Sequence, residues 1–242
     1  DPYWPKKAME GHPEDIVPCL RCSNCYHISS DHWNVGCSVN PRYHHQEFVP
    51  SEINLPKAET KKHVVILGGG PAGMKAAITA SDRGHKVTII EKQKELGGML
   101  RFISKEAHKE EVQRLLDYYL TQIFKREIEV LLNTEADPEL VKELQPDSLL
   151  IAFGAVERIL PIPGVEGEKV QLATKAIAHP EQLGQNIVIL GGGSIGCEIG
   201  LELAENGKNV TILELTDTLA ANANSLYREA LRQKFLLHEN LH

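Results

Sequence analysis

The sequence has no excess of positive charge: 26 Lys and Arg stand against 33 Asp and Glu, a formal net charge of −7 over 242 residues. The basic side chains are scattered rather than striped, which argues against a nucleic-acid-binding face. No apolar run approaches the roughly 18 residues that a membrane span needs. The polar, proline-rich start lacks the apolar stretch of a secretory signal, so cytoplasmic residence is the expectation. There is also no initiator Met, and the opening DPYWPKKAMEG reads as the continuation of a longer protein. Cysteine is scarce, five in all, and it is missing where a redox dithiol would be sought. None follows the stretch ELGGML (95–100), and Cys197 has no cysteine three positions away, which disfavours dithiol–disulfide exchange chemistry.

What cysteine there is lies close together. Cys19, Cys22, Cys25 and Cys37 form the pattern C-x2-C-x2-C-x11-C. In a reducing compartment, clustered cysteines are more readily metal ligands than disulfides. Zinc sites more often use two separated C-x2-C pairs or mixed Cys/His pairs. A triple hook closed by a distant fourth thiol is commoner around [4Fe–4S] clusters. His27, His32, His44 and His45 lie nearby and keep zinc open as an alternative. Residues 1–50 are otherwise irregular and rich in His and Pro, a segment that needs a cross-link or a metal to hold a fold. Residues 51–62 read as a linker.

Beyond it, one unit occurs twice. HVVILGGGPAGMKAAITASDRGHKVTIIEK (63–92) and NIVILGGGSIGCEIGLELAENGKNVTILEL (186–215) align at an offset of 123 without a gap. Val65, Ile66, Leu67, the three glycines, Gly73, Gly84, Val87, Thr88, Ile89 and Glu91 all recur. Each copy reads as strand, glycine turn, helix and a second strand ending in Glu. That is a βαβ unit, so the expected fold class is α/β: a Rossmann-like FAD/NAD(P)-binding module with tandem βαβ units, disulfide-reductase-like, behind a small irregular Cys-rich segment. Between the copies, Val112, Leu115, Leu116, Tyr119 and Ile123 are spaced for a helix over 106–125. EIEVLL (127–132) reads as a strand, Asp137 as the cap of a helix from Pro138, and SLLIAFGA (148–155) as a buried strand ending in a glycine turn. ILPIPGVEGEK (159–169) is a Pro/Gly crossover, and 224–240 reads as a last helix.

The glycine motifs carry the chemistry. Gly68 allows a tight turn, Gly70 lets a pyrophosphate approach the backbone, and Gly73 lets helix and strand pack closely. The helix start offers free N–H groups and a positive dipole end to phosphates. Glu91 is placed to accept hydrogen bonds from ribose hydroxyls. Gly191, Gly193, Gly196 and Glu214 repeat the arrangement with the same span. The alternative, a tight βα turn that binds nothing, applies to each copy separately. A 2′-phosphate would be repelled by Glu214, and no Lys or Arg follows within several residues, which favours NADH over NADPH. Two nucleotide sites beside an iron–sulfur cluster suggest a redox chain. A flavin converts between two-electron and one-electron transfer, so flavin is expected at the first site and nicotinamide at the second. Cys197, inside a helix after the second turn, reads as a small buried residue.

With these residues in hand, the chain resembles the C-terminal part of the 2,4-dienoyl-CoA reductase and trimethylamine dehydrogenase group, Old Yellow Enzyme-like proteins with an FMN-bearing barrel. DPYWPKKAMEG is similar to the close of that barrel, and PCLRCSNC with CSVNP to the cluster loop. VVILGGGPAGM and EKQKELGGML are similar to the FAD-binding half, LLIAFGA to a strand ending Ala-Thr-Gly, and IVILGGGSIGCEIG to the NAD(P)H-binding insert. The resemblance implies that Cys19, Cys22, Cys25 and Cys37 ligate iron. It implies that Gly68, Gly70, Ala72, Gly73, Glu91, Gly97, Gly98, Ala136 and Gly154 hold FAD, and that Gly191, Gly193, Gly196 and Glu214 hold NADH. Hydride would enter at nicotinamide, and electrons would pass through FAD and the cluster to FMN, which reduces an activated C=C bond. Phe153 departs from the family's Thr. The FMN barrel and the segment that completes the FAD domain are absent, so both become expected partners, open sheet edges are expected, and homo-oligomerisation is possible. No catalytic residue can be named. Other readings are an amine-dehydrogenase-type module with structural ADP at the first site, and a zinc-stabilised, non-catalytic nucleotide-binding module. The resulting division is 1–50 barrel remnant and cluster loop, 51–62 linker, 63–160 FAD-binding half and 161–242 truncated NAD(H)-binding domain.

Overall fold

The computed structural model describes residues 1–25, 36–106 and 109–242. It divides into two compact units, one comprising 1–20, 39–104 and 109–156, the other 21–38, 105–108 and 157–242.

The first unit opens with a short helix, α1 (Trp4–Met9), and then builds a parallel sheet. In chain order it contains β1 (His63–Leu67), α2 (Pro71–Asp82), β2 (Lys86–Ile90), α3 (Leu100–Ile103), α4 (Glu110–Phe124), β3 (Ile128–Leu131), α5 (Pro138–Leu144) and β4 (Ser148–Ile151). The strand order is β3-β2-β1-β4, with β1 parallel to both β2 and β4. Parallel neighbours need long crossovers, and helices supply them. Alternation along the strands then sorts the core. Ile66, Val87 and Ile89 face α2 and α4, where Met74, Ala77, Leu115, Leu116, Tyr119 and Ile123 complete one buried cluster. Val65, Leu67 and Ile90 face the other way, against Leu140, Val141 and Leu144 of α5. The result is a three-layer α/β sandwich.

The helical spacing expected over 106–125 appears as α4, whose buried face is Leu115, Leu116, Tyr119 and Ile123; residues 107–108 lie outside the described residues. Asp137 caps α5 as expected, its Oδ1 accepting from Leu140 N at 2.8 Å. Burial of the strand 148–151 is a correction: Leu149 is 44% and Ile151 67% exposed. β4 is the terminal strand of the sheet and pairs only with β1 among the described residues, so its outer edge and much of its faces stay uncovered.

The second unit contains α6 (Ala173–Ala178), β5 (Asn186–Leu190), α7 (Ser194–Glu205), β6 (Asn209–Leu213) and α8 (Ser225–Phe235). β5 and β6 are parallel in the register of the first copy, Ile187 opposite Val210 as Val64 is opposite Val87. Cys197, Ile199, Leu201 and Leu203 of α7 pack with Val210, Leu231 and Leu241. The expected final helix ends at Phe235, earlier than 240, because the chain turns and Leu241 forms a parallel bridge with Val210. Among the described residues, no helix is long and apolar enough to cross a membrane.

Candidate functional site

At the first glycine turn the three glycines have different reasons to be glycine. Gly68 has φ +107°, and a Cβ there would lie 2.4 Å from Ala152 O. A Cβ on Gly73 would lie 1.9 Å from Gly68 O, so the close approach of α2 to the turn requires its absence. Gly70, at the start of α2, is different: the nearest atom to its Cβ position is Gly98 Cα at 4.0 Å, an ordinary contact, so no clash forbids a side chain at the helix N-terminus. A pyrophosphate fits a cradle of that kind. Glu91 is buried, its two carboxylate oxygens accepting from Gly69 N (2.7 Å) and Gln93 N (2.8 Å). A carboxylate has about four acceptor positions, and these two bonds occupy two of them. Gly97 and Gly98 sit beside the turn with φ of +120° and +52°, and Gly97 N donates to Gly69 O at 2.8 Å. Ala72 is exposed on the first turn of α2, and Gly154, φ +76°, follows β4 with open space beside it. Ala136 packs instead among Val65, Leu67 and Ile90, against the α5 face of the sheet.

The second turn repeats this geometry. A Cβ on Gly196 would lie 2.0 Å from Gly191 O, matching Gly73 and Gly68. Glu214 accepts from Gly192 N (2.7 Å), Thr216 N (2.9 Å) and Thr216 Oγ1 (3.1 Å). The Thr216 and Gly192 backbone N–H groups hold its carboxyl below the usual carboxylate range. The copies differ beside the first glycine. Gly191, φ +109°, has nothing within 4 Å of a Cβ position, where Gly68 meets the end of β4. The neighbour of the third glycine also differs in kind: Asn222 Oδ1, a polar atom, stands 3.8 Å from the Cβ position of Gly193, where Gly70 meets Gly98 Cα at 4.0 Å. Cys197 is buried as expected; its thiol donates to Gly192 O at 3.3 Å, and burial pushes its pKa up.

The repeat extends further than 63–92 and 186–215. Leu96 and Leu219 cover Gly69 and Gly192 in the same way, and Ala220 N donates to Gly192 O at 2.7 Å as Gly97 N does to Gly69 O. The offset is still 123 at Leu96/Leu219 and Gly97/Ala220, so the signal was present in the sequence but thinned to single residues. Thr216, Gln93 and Asn222 carry no motif signal.

The four clustered cysteines form no disulfide; Cys19, Cys22 and Cys25 are exposed and Cys37 is half-buried. Cys19 belongs to the first unit and the other three to the second. Cys22 Sγ lies 3.3 Å from Ser38 Oγ, and Cys22 O accepts from Asn224 Nδ2 at 3.3 Å. Four cysteine sulfurs are the donor set a [4Fe–4S] cluster takes. Among the described residues, the group of metal-capable side chains with ligand atoms within 4.8 Å of one another is His12, Glu14 and Asp15. Lys125 already binds both carboxylates there, at 2.6 and 2.7 Å. His27 and His32 lie outside the described residues.

Comparison with known proteins places the chain in a family. Residues 62–239 match the family described as pyridine nucleotide-disulphide oxidoreductase. The chain is 37% identical to an NADH oxidase from Thermoanaerobacter brockii over 243 residues, covering 97% of the chain and 37% of that protein. It is 37% identical to a cinnamate reductase from Clostridium sporogenes over 220 residues, covering 90% of the chain and 32% of that protein. A solved 2-naphthoyl-CoA reductase complex matches with a TM-score of 0.91 at 34% identity, covering 100% of the chain and 36% of that structure. The chain thus spans about a third of the length of these relatives. The resemblance to Old Yellow Enzyme-like reductases is borne out.

Proposed function

The chain belongs to the pyridine nucleotide-disulphide oxidoreductase family, whose cofactors are FAD and NAD(P)H, and from that premise we propose that it is the electron-transfer portion of an NADH-dependent flavin and iron–sulfur oxidoreductase. The observation that carries the proposal is the duplicated turn: two open-or-capped helix starts, each closed by a buried or half-buried glutamate on the adjacent backbone N–H. When bound, nicotinamide supplies a hydride, flavin exchanges two-electron for one-electron transfer, and a cluster carries single electrons.

The chain's own residues bind and orient. Gly70 and the start of α2 would receive the FAD pyrophosphate, with Glu91 on the ribose and Gly97 and Gly98 allowing close passage. Gly193 and the start of α7 would receive NADH, with Glu214 on its ribose; the lowered carboxyl stays ionised and disfavours a 2′-phosphate. Cys19, Cys22, Cys25 and Cys37 would ligate iron. The proposed division keeps 63–160 as the FAD-binding half and 161–242 as the NAD(H)-binding part. The partner in this reading is an FMN barrel, the final reaction is reduction of an activated C=C bond, and the setting is cytoplasmic.

Protein purified without oxygen tests this, by absorption spectrum together with iron, sulfide, zinc and released-nucleotide analysis on one sample. About four iron and four sulfide per chain with released FAD are expected. Zinc without iron would overturn the electron-transfer reading. Iron with ADP, or with no nucleotide, would reduce the first site to a scaffold.

A further inference from the structure

The two copies of the repeat diverge at one place that bears on binding. α2 begins at Pro71, which has no N–H, and no side chain caps it. α7 begins at Ser194, which has both a backbone N–H and a hydroxyl. Asn222 Oδ1 accepts from Ser194 N at 3.2 Å and from Ser194 Oγ at 3.0 Å. The same oxygen is the nearest atom to the Cβ position of Gly193, the glycine whose bare backbone a pyrophosphate would approach. In the first copy the corresponding space holds no polar atom within 4 Å, and the residue at the corresponding position is Met99. Asn222 is held there by the segment that repeats the first copy up to Ala220, pinned by Ala220 N on Gly192 O.

We propose that Asn222 is a placeholder for the dinucleotide phosphate at the second site. Its amide oxygen satisfies Ser194 while the site is empty and is displaced when NADH binds. The proposal rests on the nucleotide reading of the second turn and extends it. The physical logic is exchange: a nicotinamide dinucleotide must leave after each hydride, and an internal group that re-satisfies the helix start stabilises the empty state. A resident flavin has no such need, and the first turn has no such group. The N–H at the start of a helix is otherwise left to solvent.

The test is NADH titration of the chain and three variants, with thermal unfolding measured with and without NADH. Asn222→Ala should bind NADH about fivefold more tightly, the loss of one ordinary helix cap from the empty state. Asn222→Met, which installs the residue of the first copy, should behave alike. Asn222→Asp should bind more weakly, because the carboxylate caps and also repels the phosphates. Asn222→Ala should lower the melting temperature by about 2–4 °C without NADH and leave it unchanged at saturating NADH, which a purely structural contact would not do. Unchanged or weaker NADH affinity in Asn222→Ala overturns the placeholder alone. No NADH binding by the chain or by Asn222→Ala removes the nucleotide reading of the second turn and the placeholder with it.

Discussion

Two glycine-to-alanine changes three residues apart should fail in opposite ways. In Gly73→Ala the new Cβ lies 1.9 Å from Gly68 O and 3.4 Å from Ile66 Cγ2. Relief needs a shift of about 1 Å, large for a close-packed interior. The Gly68 carbonyl cannot easily retreat, because Gly68 N donates to Ile90 O at 2.8 Å and the residue itself abuts Ala152 O. Overpacking costs about 1–3 kcal/mol, and a clash with backbone belongs at the upper end. Alanine's better helix propensity returns up to about 1 kcal/mol. The net is about 2 kcal/mol, or a melting point lower by about 4–8 °C for a chain of this size. Gly70→Ala starts from φ −74° and ψ −176°, an ordinary extended conformation, with its nearest neighbour 4.0 Å away. Its stability should be unchanged or higher by up to about 1 kcal/mol, since alanine restricts the unfolded chain. Its FAD affinity should fall by about tenfold or more, because the methyl occupies the phosphate approach, a loss of at least about 1.4 kcal/mol. Circular-dichroism melts of nucleotide-free protein and FAD titrations read the two effects separately. A Gly70→Ala protein as unstable as Gly73→Ala, or one that binds FAD normally, would refute the reasoning.

Met74, fully buried between sheet and α4, should cost about 2–5 kcal/mol on truncation to Ala, read by chemical denaturation of the first unit. Asp137→Ala removes the α5 cap on Leu140 N and should cost about 1 kcal/mol; Asp137→Asn should recover most of it in the same melt. Glu214 has a folded-state carboxyl lowered from its ordinary 4.5 by the Thr216 and Gly192 backbone N–H groups. Its contribution is therefore fully present above about pH 4.5 and is lost as pH falls through the lower folded value. Glu214→Gln should flatten that acid limb in a melt series, and a wild-type slope in the variant would refute the assignment.

Much of this protein is legible in one dimension. The glycine turns, the period-two strands and the gapless offset of 123 are local patterns, and steric demands on the backbone make them reliable: few residues besides glycine fit at Gly68, Gly73 or Gly196. The cap at Asp137 and the buried stripe of α4 were equally readable, because a helix cap and a 3.6-residue period act within a few positions. The strand at 148–151 reads as buried because its composition is that of a core strand; its place at the sheet edge depends on which strands pair, a property of the whole sheet. The early end of α8 at Phe235 likewise depends on the bridge between Leu241 and Val210, 31 residues apart.

The sequence by itself determined that two dinucleotide turns and a four-cysteine segment share this chain, since each is specified by residues close in sequence whose chemistry does not depend on distant partners. Only tertiary structure decided how the two turns differ. The first glycine of one copy is locked against Ala152, 84 residues away, while its counterpart stands open. The start of one helix is bare, while the other is held by Asn222, 28 residues downstream of Ser194. Hydrogen bonds across such separations arise from how the chain returns on itself, and no local periodicity encodes that return.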